Sequence, residues 1–172
     1  MESSIQVGVN GDAVWVKVEG RGTFLNSGSF KEFTREMVNR GYREFVVDLA
    51  GCAMMDSTFM GTMAGVALRL KELGHGHLHV VHCGARSRDL LTGLGLDQLF
   101  TIHSNGARAP ECQEFESEEK NRSSSDSKLE QKRQILDAHE ALCEAVPENF
   151  SKFKDVLDYL KQDLHKEPAS TN

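Results

Sequence analysis

Hydrophobic residues occupy every second position in two stretches near the start of the chain, residues 5–9 and residues 14–18. This period of two is typical of half-buried β-strands. Asn10-Gly11-Asp12 separates the two stretches, and asparagine and glycine tolerate the positive φ angles of a tight turn. The pattern predicts that the chain opens with a β-hairpin, which a glycine-rich loop at residues 20–29 follows.

Helical and strand-like patterns then alternate as far as His103. Apolar residues recur at helical spacing in three stretches, each closed by a glycine: residues 29–40, 57–73 and 87–94. Short apolar runs typical of buried strands occupy residues 45–49, 78–82 and 99–103. The order is therefore ββαβαβαβ. Because strands separated by helices pair in parallel through right-handed crossovers, we predict an α/β domain over residues 1–103, with a mixed sheet covered by helices.

The composition changes after this domain. Residues 104–127 are polar and acidic, with too little apolar surface to offset the entropy of ordering, so a flexible acidic linker is predicted there. Two apolar stripes at helical period follow, on either side of Pro147, and they predict a helical hairpin extension over residues 128–167. Two short helices bury little area alone, so the stripes are expected to dock on the first domain, a second copy or a partner.

Charge and hydropathy exclude several classes of function. The net charge is −6, from 20 Lys and Arg against 26 Asp and Glu, and no basic stripe is available to neutralise phosphates. Neither direct nucleic-acid binding nor attachment to an anionic membrane surface is therefore expected. No apolar run reaches the ~18 residues of a bilayer span. The first residues lack the basic region and apolar core of a secretory signal. A cytoplasmic protein without membrane insertion is therefore expected.

The segment most suggestive of chemistry is the junction of a strand and a helix at Asp56-Ser57-Thr58. These residue types satisfy the free N–H groups at a helix start, so a simple capping role is one interpretation. The other is a phosphorylation site, because free amides and the helix dipole favour an added anion. A phosphate brings roughly −1.5 to −2 charges at neutral pH, and the adjacent Asp56 and any acidic partner surface would repel it.

The sequence resembles the STAS domain, the fold shared by anti-sigma factor antagonists and the cytoplasmic ends of sulphate transporters. FVVDLAGCAMMDST at residues 45–58 is similar to the family's strand followed by an Asp-Ser-Ser or Asp-Ser-Thr helix start. The glycine-spaced helix at residues 61–73 and LGLDQLF at residues 94–100 also match, as does the order of elements. The resemblance covers about residues 5–103.

This resemblance implies a function in partner switching. In antagonists of the family, the serine after the aspartate is phosphorylated by an anti-sigma factor that is a serine kinase of the histidine-kinase-type ATPase fold. The unphosphorylated antagonist binds that factor and frees the sigma factor, and a serine phosphatase restores binding. The acceptor maps onto Ser57, with Thr58 as an alternative acceptor and Asp56 as the acidic neighbour that sets the helix start.

Two departures from the family pattern concern the partner-binding surface. Phe59 stands where the family commonly has glycine, and Gly20-Arg21-Gly22-Thr23-Phe24 replaces an acidic loop that contacts the kinase. An exposed methionine or phenylalanine beside the switch would give an adaptable binding face. The residues expected to bind the partner are Asp56, Phe59, Met60, Arg21, Thr23 and Phe24.

Other interpretations remain open. A non-switching STAS adaptor, or a regulatory subunit of a transport or signalling complex, would use Ser57 only as a capping residue and the C-terminal helices for docking. A metal-dependent enzyme would rest on the cluster His75, His77, His79 and His82. A solvated turn explains that cluster better, because no carboxylate lies nearby in sequence. The cysteines (Cys52, Cys83, Cys112 and Cys143) form no CxxC pair. We therefore expect no metal, no cofactor and no catalytic residue.

Overall fold

A mixed sheet with helices packed against it makes up most of the fold. The structure is a computed structural model, and it describes residues 3–103, 116–117 and 128–166. The strands are β1 (Ser4–Asn10), β2 (Ala13–Gly22), β3 (Glu44–Asp48), β4 (Cys52–Met55), β5 (His77–Val81), β6 (Thr101–Ile102) and β7 (Glu116–Ser117). The α-helices are α1 (Ser27–Asn39), α2 (Ser57–Glu72), α3 (Ala85–Gly93), α4 (Lys128–Ala145) and α5 (Phe150–Lys166). Leu96–Gln98 and Pro147–Asn149 form 3₁₀ turns.

The strand order of the sheet is β6-β5-β3-β2-β1-β7, and β4 pairs with the end of β2. Strands β1 and β2 form the predicted antiparallel hairpin. The pairs β2–β3, β3–β5 and β5–β6 are parallel, as helical crossovers require. The prediction of an α/β fold with a mixed sheet covered by helices is confirmed, and most of the strand pairs are parallel.

The structure differs from the prediction around the end of β2. We expected a loop at residues 20–29, but β2 continues through Gly22 and α1 begins at Ser27. The reason is β4, a short strand that the sequence pattern did not predict, which pairs in parallel with Gly20–Gly22. Its four residues, Cys-Ala-Met-Met, show no alternation of apolar and polar positions. Its pairing therefore supplies the backbone partners that keep β2 extended.

The main core lies on one face of the sheet, under α1 and α2. Alternate residues of the central strands point into it, and the two helices contribute large side chains. The fully buried residues of this core include Val14, Val16, Phe45, Val80, Phe30, Phe59 and Met63. A smaller apolar cluster of Trp15, Val46 and Val81 lies on the opposite face. The pleat of the strands separates the two clusters, because consecutive residues point to opposite faces.

The C-terminal helices form the predicted hairpin and dock on the first domain. Helix α4 packs along α2, and Leu142 is fully buried in the main core. At Gly61 of α2 the two backbones approach so closely that an added Cβ would lie 2.6 Å from the carbonyl carbon of Ala138. The Asn149 side-chain amide donates hydrogen bonds to the carbonyls of Leu94, at 2.9 Å, and Leu142, at 3.0 Å. The hairpin is therefore joined to the α/β domain by close packing and by buried hydrogen bonds.

Two further predictions concern the chain outside these elements. The linker predicted at residues 104–127 lies outside the described residues, except for β7, which pairs with Gln6 and Val7 of β1. Within residues 3–103 and 128–166, none of the helices combines the length and the apolar composition that crossing a bilayer requires.

Candidate functional site

Asp56 connects the start of α2 to the loop that follows β2. Its backbone N–H donates to the carbonyl of Gly22 at 2.9 Å, which continues the pairing of β4 with β2. Its carboxylate accepts one hydrogen bond from the Phe59 N–H at 2.8 Å and another from the Phe24 N–H at 2.9 Å. The first bond caps α2 in the predicted manner. The second holds the loop beside the helix start, so one side chain positions both segments.

The loop itself is fixed by local hydrogen bonds. The Asn26 side chain accepts from the Thr23 N–H at 2.8 Å and donates to the carbonyl of Arg21 at 2.8 Å. This leaves Phe24 and Leu25 at the tip, with 39% and 75% of their surface exposed. The structure therefore brings Arg21, Thr23 and Phe24 together beside Asp56. Leu25, the most exposed apolar residue of this loop, was missed by the sequence reasoning.

Ser57 is the first residue of α2 and is half-buried. Its Oγ lies 2.9 Å from Nε2 of His139, a residue of α4 that is only 4% exposed. The other ring nitrogen of His139, Nδ1, lies 2.7 Å from the carbonyl oxygen of Ile135. A carbonyl only accepts hydrogen bonds, so Nδ1 carries a proton, and in the neutral form of the ring Nε2 accepts the hydroxyl proton of Ser57.

This hydrogen bond shows that α4 lies over the predicted acceptor. The ring of His139 is held on its other side by Phe153 of α5, at a centroid distance of 4.9 Å in an edge-to-face arrangement. The contact joins residues 82 positions apart in the chain, and no local pattern in the sequence indicated it. Thr58, the alternative acceptor, is buried at 5% exposure, so Ser57 is the more accessible of the two hydroxyls.

The expectation that Phe59 and Met60 face a partner is wrong for this conformation. Phe59 is fully buried and Met60 is 4% exposed. The Phe59 ring packs on Phe30, with 5.3 Å between the ring centroids, and over Gly22. The glycine lacks a side chain at this point, and the space that it leaves admits the aromatic ring into the core. Phe24, in the loop beside Asp56, is exposed instead.

Three histidines of the predicted cluster contact two different carboxylates. His77 and His79 share the side chain of Glu44, a carboxylate that the neighbouring strand β3 supplies. His82 binds Asp48 instead, with 3.0 Å between Nδ1 and Oδ1. No local pattern indicated this carboxylate, because Glu44 lies 33 residues before His77. Burial raises the pKa of Glu44, but the hydrogen bonds from His77 and His79 outweigh that effect and hold the pKa below its usual value.

The described cysteines have the environment of structural residues. Cys52, Cys83 and Cys143 are free thiols, and burial raises the pKa of each above its ordinary value. A raised pKa keeps a thiol protonated near neutral pH and lowers its reactivity. Cys112 lies outside the described residues.

Comparisons with known proteins agree with the fold. Residues 5–101 match the family described as "Mlab, STAS domain". Among curated proteins, none matches the sequence at a significant level. The matched region ends before the helical hairpin, so α4 and α5 are outside the part that the family describes.

Several solved structures are similar to the chain at low sequence identity. A candidate anti-sigma factor antagonist from Thermotoga maritima is 19% identical, with a TM-score of 0.54 over 58% of this chain and 86% of that one. An anti-sigma factor antagonist from Mycobacterium paratuberculosis is 17% identical, with a TM-score of 0.52 over 59% and 86% of the two chains. The phosphorylated form of the Bacillus cell fate determinant SpoIIAA is 13% identical, with a TM-score of 0.50 over 59% and 93%.

Proposed function

The chain belongs to the STAS-domain family, and we propose that it works as an anti-sigma factor antagonist controlled by phosphorylation of Ser57. In the unphosphorylated state it binds an anti-sigma factor, which is a serine kinase of the histidine-kinase-type ATPase fold, and the sigma factor is released. Phosphorylation of Ser57 ends that association, and a serine phosphatase reverses it. The chain is then a binding module and a kinase substrate rather than an enzyme.

The observation that carries the proposal is the position of the Ser57 hydroxyl at the N-terminus of α2, next to an exposed apolar loop tip. Free N–H groups and the helix dipole at this end stabilise an added anion by about 0.3–1 kcal/mol at an exposed site. Phe24 and Leu25 lie on the neighbouring loop, which Asp56 joins to the same helix end. A partner that covers this loop would also cover Ser57.

Electrostatic repulsion explains why the phosphorylated form would bind its partner more weakly. A phosphate on Ser57 would add roughly −1.5 to −2 charges next to the Asp56 carboxylate. That carboxylate already accepts hydrogen bonds from the N–H groups of Phe24 and Phe59. A phosphate beside it would repel the carboxylate and compete for these donors, and so weaken the hydrogen bond from Phe24 that holds the loop. Like charges on adjacent residues repel, and an acidic partner surface would be repelled as well. Both effects lower the affinity of the modified form.

The contact with His139 requires a conformational step before phosphoryl transfer. The hydroxyl donates to His139, and α4 lies against α2 at this point. A kinase that approaches the Ser57 oxygen must first break this hydrogen bond, whose net contribution is about 0.5–1.5 kcal/mol. Movement of the part of α4 that carries His139 away from α2 would make the oxygen available.

The same contact favours a second candidate function, a STAS adaptor that does not switch. In that case the hydrogen bond from Ser57 to His139 is a structural contact that joins the hairpin to the domain. The protein would then act as a regulatory subunit of a transport or signalling complex. The two functions differ in whether Ser57 accepts a phosphate.

The deciding experiment is phosphorylation of the full-length chain by its cognate anti-sigma kinase with ATP, followed by phosphopeptide mass spectrometry. The expected result is one phosphate on Ser57, absent in Ser57→Ala and retained in Thr58→Val, which alters the neighbouring buried hydroxyl. Binding of the kinase to Ser57→Asp should be at least tenfold weaker by calorimetry. An unmodified Ser57 with a tightly bound kinase would favour the adaptor and contradict the switch.

A further inference from the structure

A second cluster of titratable side chains, Glu44, His77 and His79, lies on the sheet face opposite α1 and α2. The parallel register places Glu44 directly beside His77, and Val46 beside His79. Val46 also neighbours Trp15, so all of these residues share the face of the smaller apolar cluster. Glu44 is the first residue of β3 and His77 is the first residue of β5, so the cluster lies where these strands begin. Ser57 follows β4 at the other end of the sheet.

The geometry points to a metal site: we propose that Glu44, His77 and His79 together bind a zinc ion. Glu44 Oε1 lies 2.9 Å from His77 Nδ1, and Glu44 Oε2 lies 3.1 Å from His79 Nε2. One potential ligand atom from each of the three residues lies within 4.8 Å of the other two. Ligand atoms at about 2.0–2.2 Å from a tetrahedral zinc ion lie roughly 3.3 Å apart, so small side-chain rotations suffice.

The ligand atoms fit zinc better than magnesium or calcium. Two imidazole nitrogens and one carboxylate oxygen suit zinc, whereas magnesium and calcium prefer sites made of oxygen atoms only. Three protein ligands leave a fourth position for water. The side chains are open to solvent, with exposed fractions of 67% for His77, 40% for Glu44 and 29% for His79, so an ion can enter.

A fourth residue, His103, contacts the ring of His79 on the side away from Glu44. Nδ1 of His79 lies 3.0 Å from Nε2 of His103, and the two rings stand 5.2 Å apart. When His79 coordinates zinc through Nε2, its proton resides on Nδ1 and is donated to His103. Such a partner fixes the tautomer and the orientation of a ligating histidine.

His103 is itself held in place by backbone contacts. Its N–H donates to the carbonyl of Val80 at 2.8 Å, which extends the pairing of β6 with β5. Its carbonyl oxygen accepts from the Arg88 guanidinium at 3.2 Å. His103 is therefore a positioning residue that acts on the metal through His79.

Charge is also compatible with binding. Glu44 is an anion at neutral pH, and its hydrogen bonds to the two histidines are replaced by bonds to the ion. The ion would then join the first residues of β3 to those of β5. It would stabilise the folded state, because the unfolded chain does not hold these residues together. The proposal is independent of the role of Ser57.

The test is calorimetric titration of the tag-free, full-length protein with ZnCl₂. We expect one ion per chain, with affinity reduced at least tenfold in His77→Ala, in His79→Ala and in Glu44→Gln. His75→Ala is the matched control, because this exposed histidine lies two residues before His77 and outside the cluster, and it should bind zinc like the unchanged protein. His103→Ala should lose about 10–100-fold, the usual effect of removing such a support.

A spectroscopic measurement separates this site from binding by thiols. The Co²⁺-substituted protein should show the visible bands of tetrahedral cobalt without thiolate-to-cobalt charge transfer, and His79→Ala should lose those bands. Zinc should raise the melting temperature of the unchanged protein and of His75→Ala, but not that of Glu44→Gln. Equal affinity in His75→Ala and His79→Ala, or a charge-transfer band from cysteine, would overturn the proposal.

Discussion

Replacement of Gly61 by alanine tests how α4 is held over α2. The added Cβ would lie 2.6 Å from the carbonyl carbon of Ala138 and 2.9 Å from its Cβ, so α4 has to shift away. Gly65, one turn later on the same helix, offers a matched control because its added Cβ would meet only Ala141, at an ordinary contact distance of 3.9 Å.

The two substitutions should have different effects on the free energy of unfolding. Alanine in a helix interior is more favourable than glycine by about 1 kcal/mol, and both variants gain this contribution. Overpacking a close interface costs typically about 1–3 kcal/mol, and only Gly61→Ala suffers it. We therefore expect Gly65→Ala to be more stable than the unchanged protein, and Gly61→Ala to be less stable than Gly65→Ala by about 1–3 kcal/mol.

Urea unfolding followed by circular dichroism gives the free energy of unfolding of each variant. Hydrogen exchange shows which elements of the structure lose protection. Protection should fall in α4 of Gly61→Ala and stay unchanged in β3 and β5. The shift of α4 should also free Ser57, so its phosphorylation should be faster in Gly61→Ala. Equal stabilities of the two alanine variants, with equal protection of α4, would refute the close approach of the helices on which this reasoning depends.

Three further predictions follow from single contacts. His139→Ala removes the acceptor of the Ser57 hydroxyl, so phosphorylation of Ser57 should be faster, at a stability cost of at least about 1 kcal/mol that urea unfolding can measure. Phe24→Ala should weaken kinase binding in calorimetry, whereas Val9→Ala, at an exposed apolar residue on the opposite end of the sheet, should leave it unchanged. The pKa of Glu44 is lowered in the folded state, so its stabilising contribution is present above its unfolded-state pKa and is lost as the pH falls through the folded-state pKa. Glu44→Gln should flatten that part of the pH dependence of stability in the zinc-free protein.

The elements that could be predicted from the sequence are those whose pattern is local. The hairpin of β1 and β2, the three helices of the domain and the C-terminal hairpin all follow from periodicity over neighbouring residues. The cap at Asp56 is local as well, since its carboxylate binds an amide three residues later. Strand β4 could not be predicted in this way, because it owes its extended form to pairing with residues about 30 positions earlier.

The contacts that define the two candidate sites are not local, and the sequence could not show them. Phe59 looked like an exposed neighbour of the switch until the fold placed Gly22 beneath its ring. The carboxylate beside His77 comes from another strand through the parallel register of β3 and β5. The partner of Ser57 comes from a helix outside the matched family region. Each depends on which elements become neighbours, and that is set by packing rather than by sequence pattern.

The contact between Ser57 and His139 links docking of α4 to the proposed phosphorylation. The two side-chain atoms are 2.9 Å apart, a distance at which a hydrogen bond fits but a phosphoryl group does not. A phosphate on the Ser57 oxygen therefore excludes this hydrogen bond and disfavours the packing of His139, and of the part of α4 that carries it, over the start of α2. Because coupling between two equilibria is reciprocal, docking of α4 must disfavour phosphorylation by the same factor by which phosphorylation disfavours docking. A partner that binds the released face of α2 would then favour modification of Ser57, and a partner that binds the docked hairpin would oppose it.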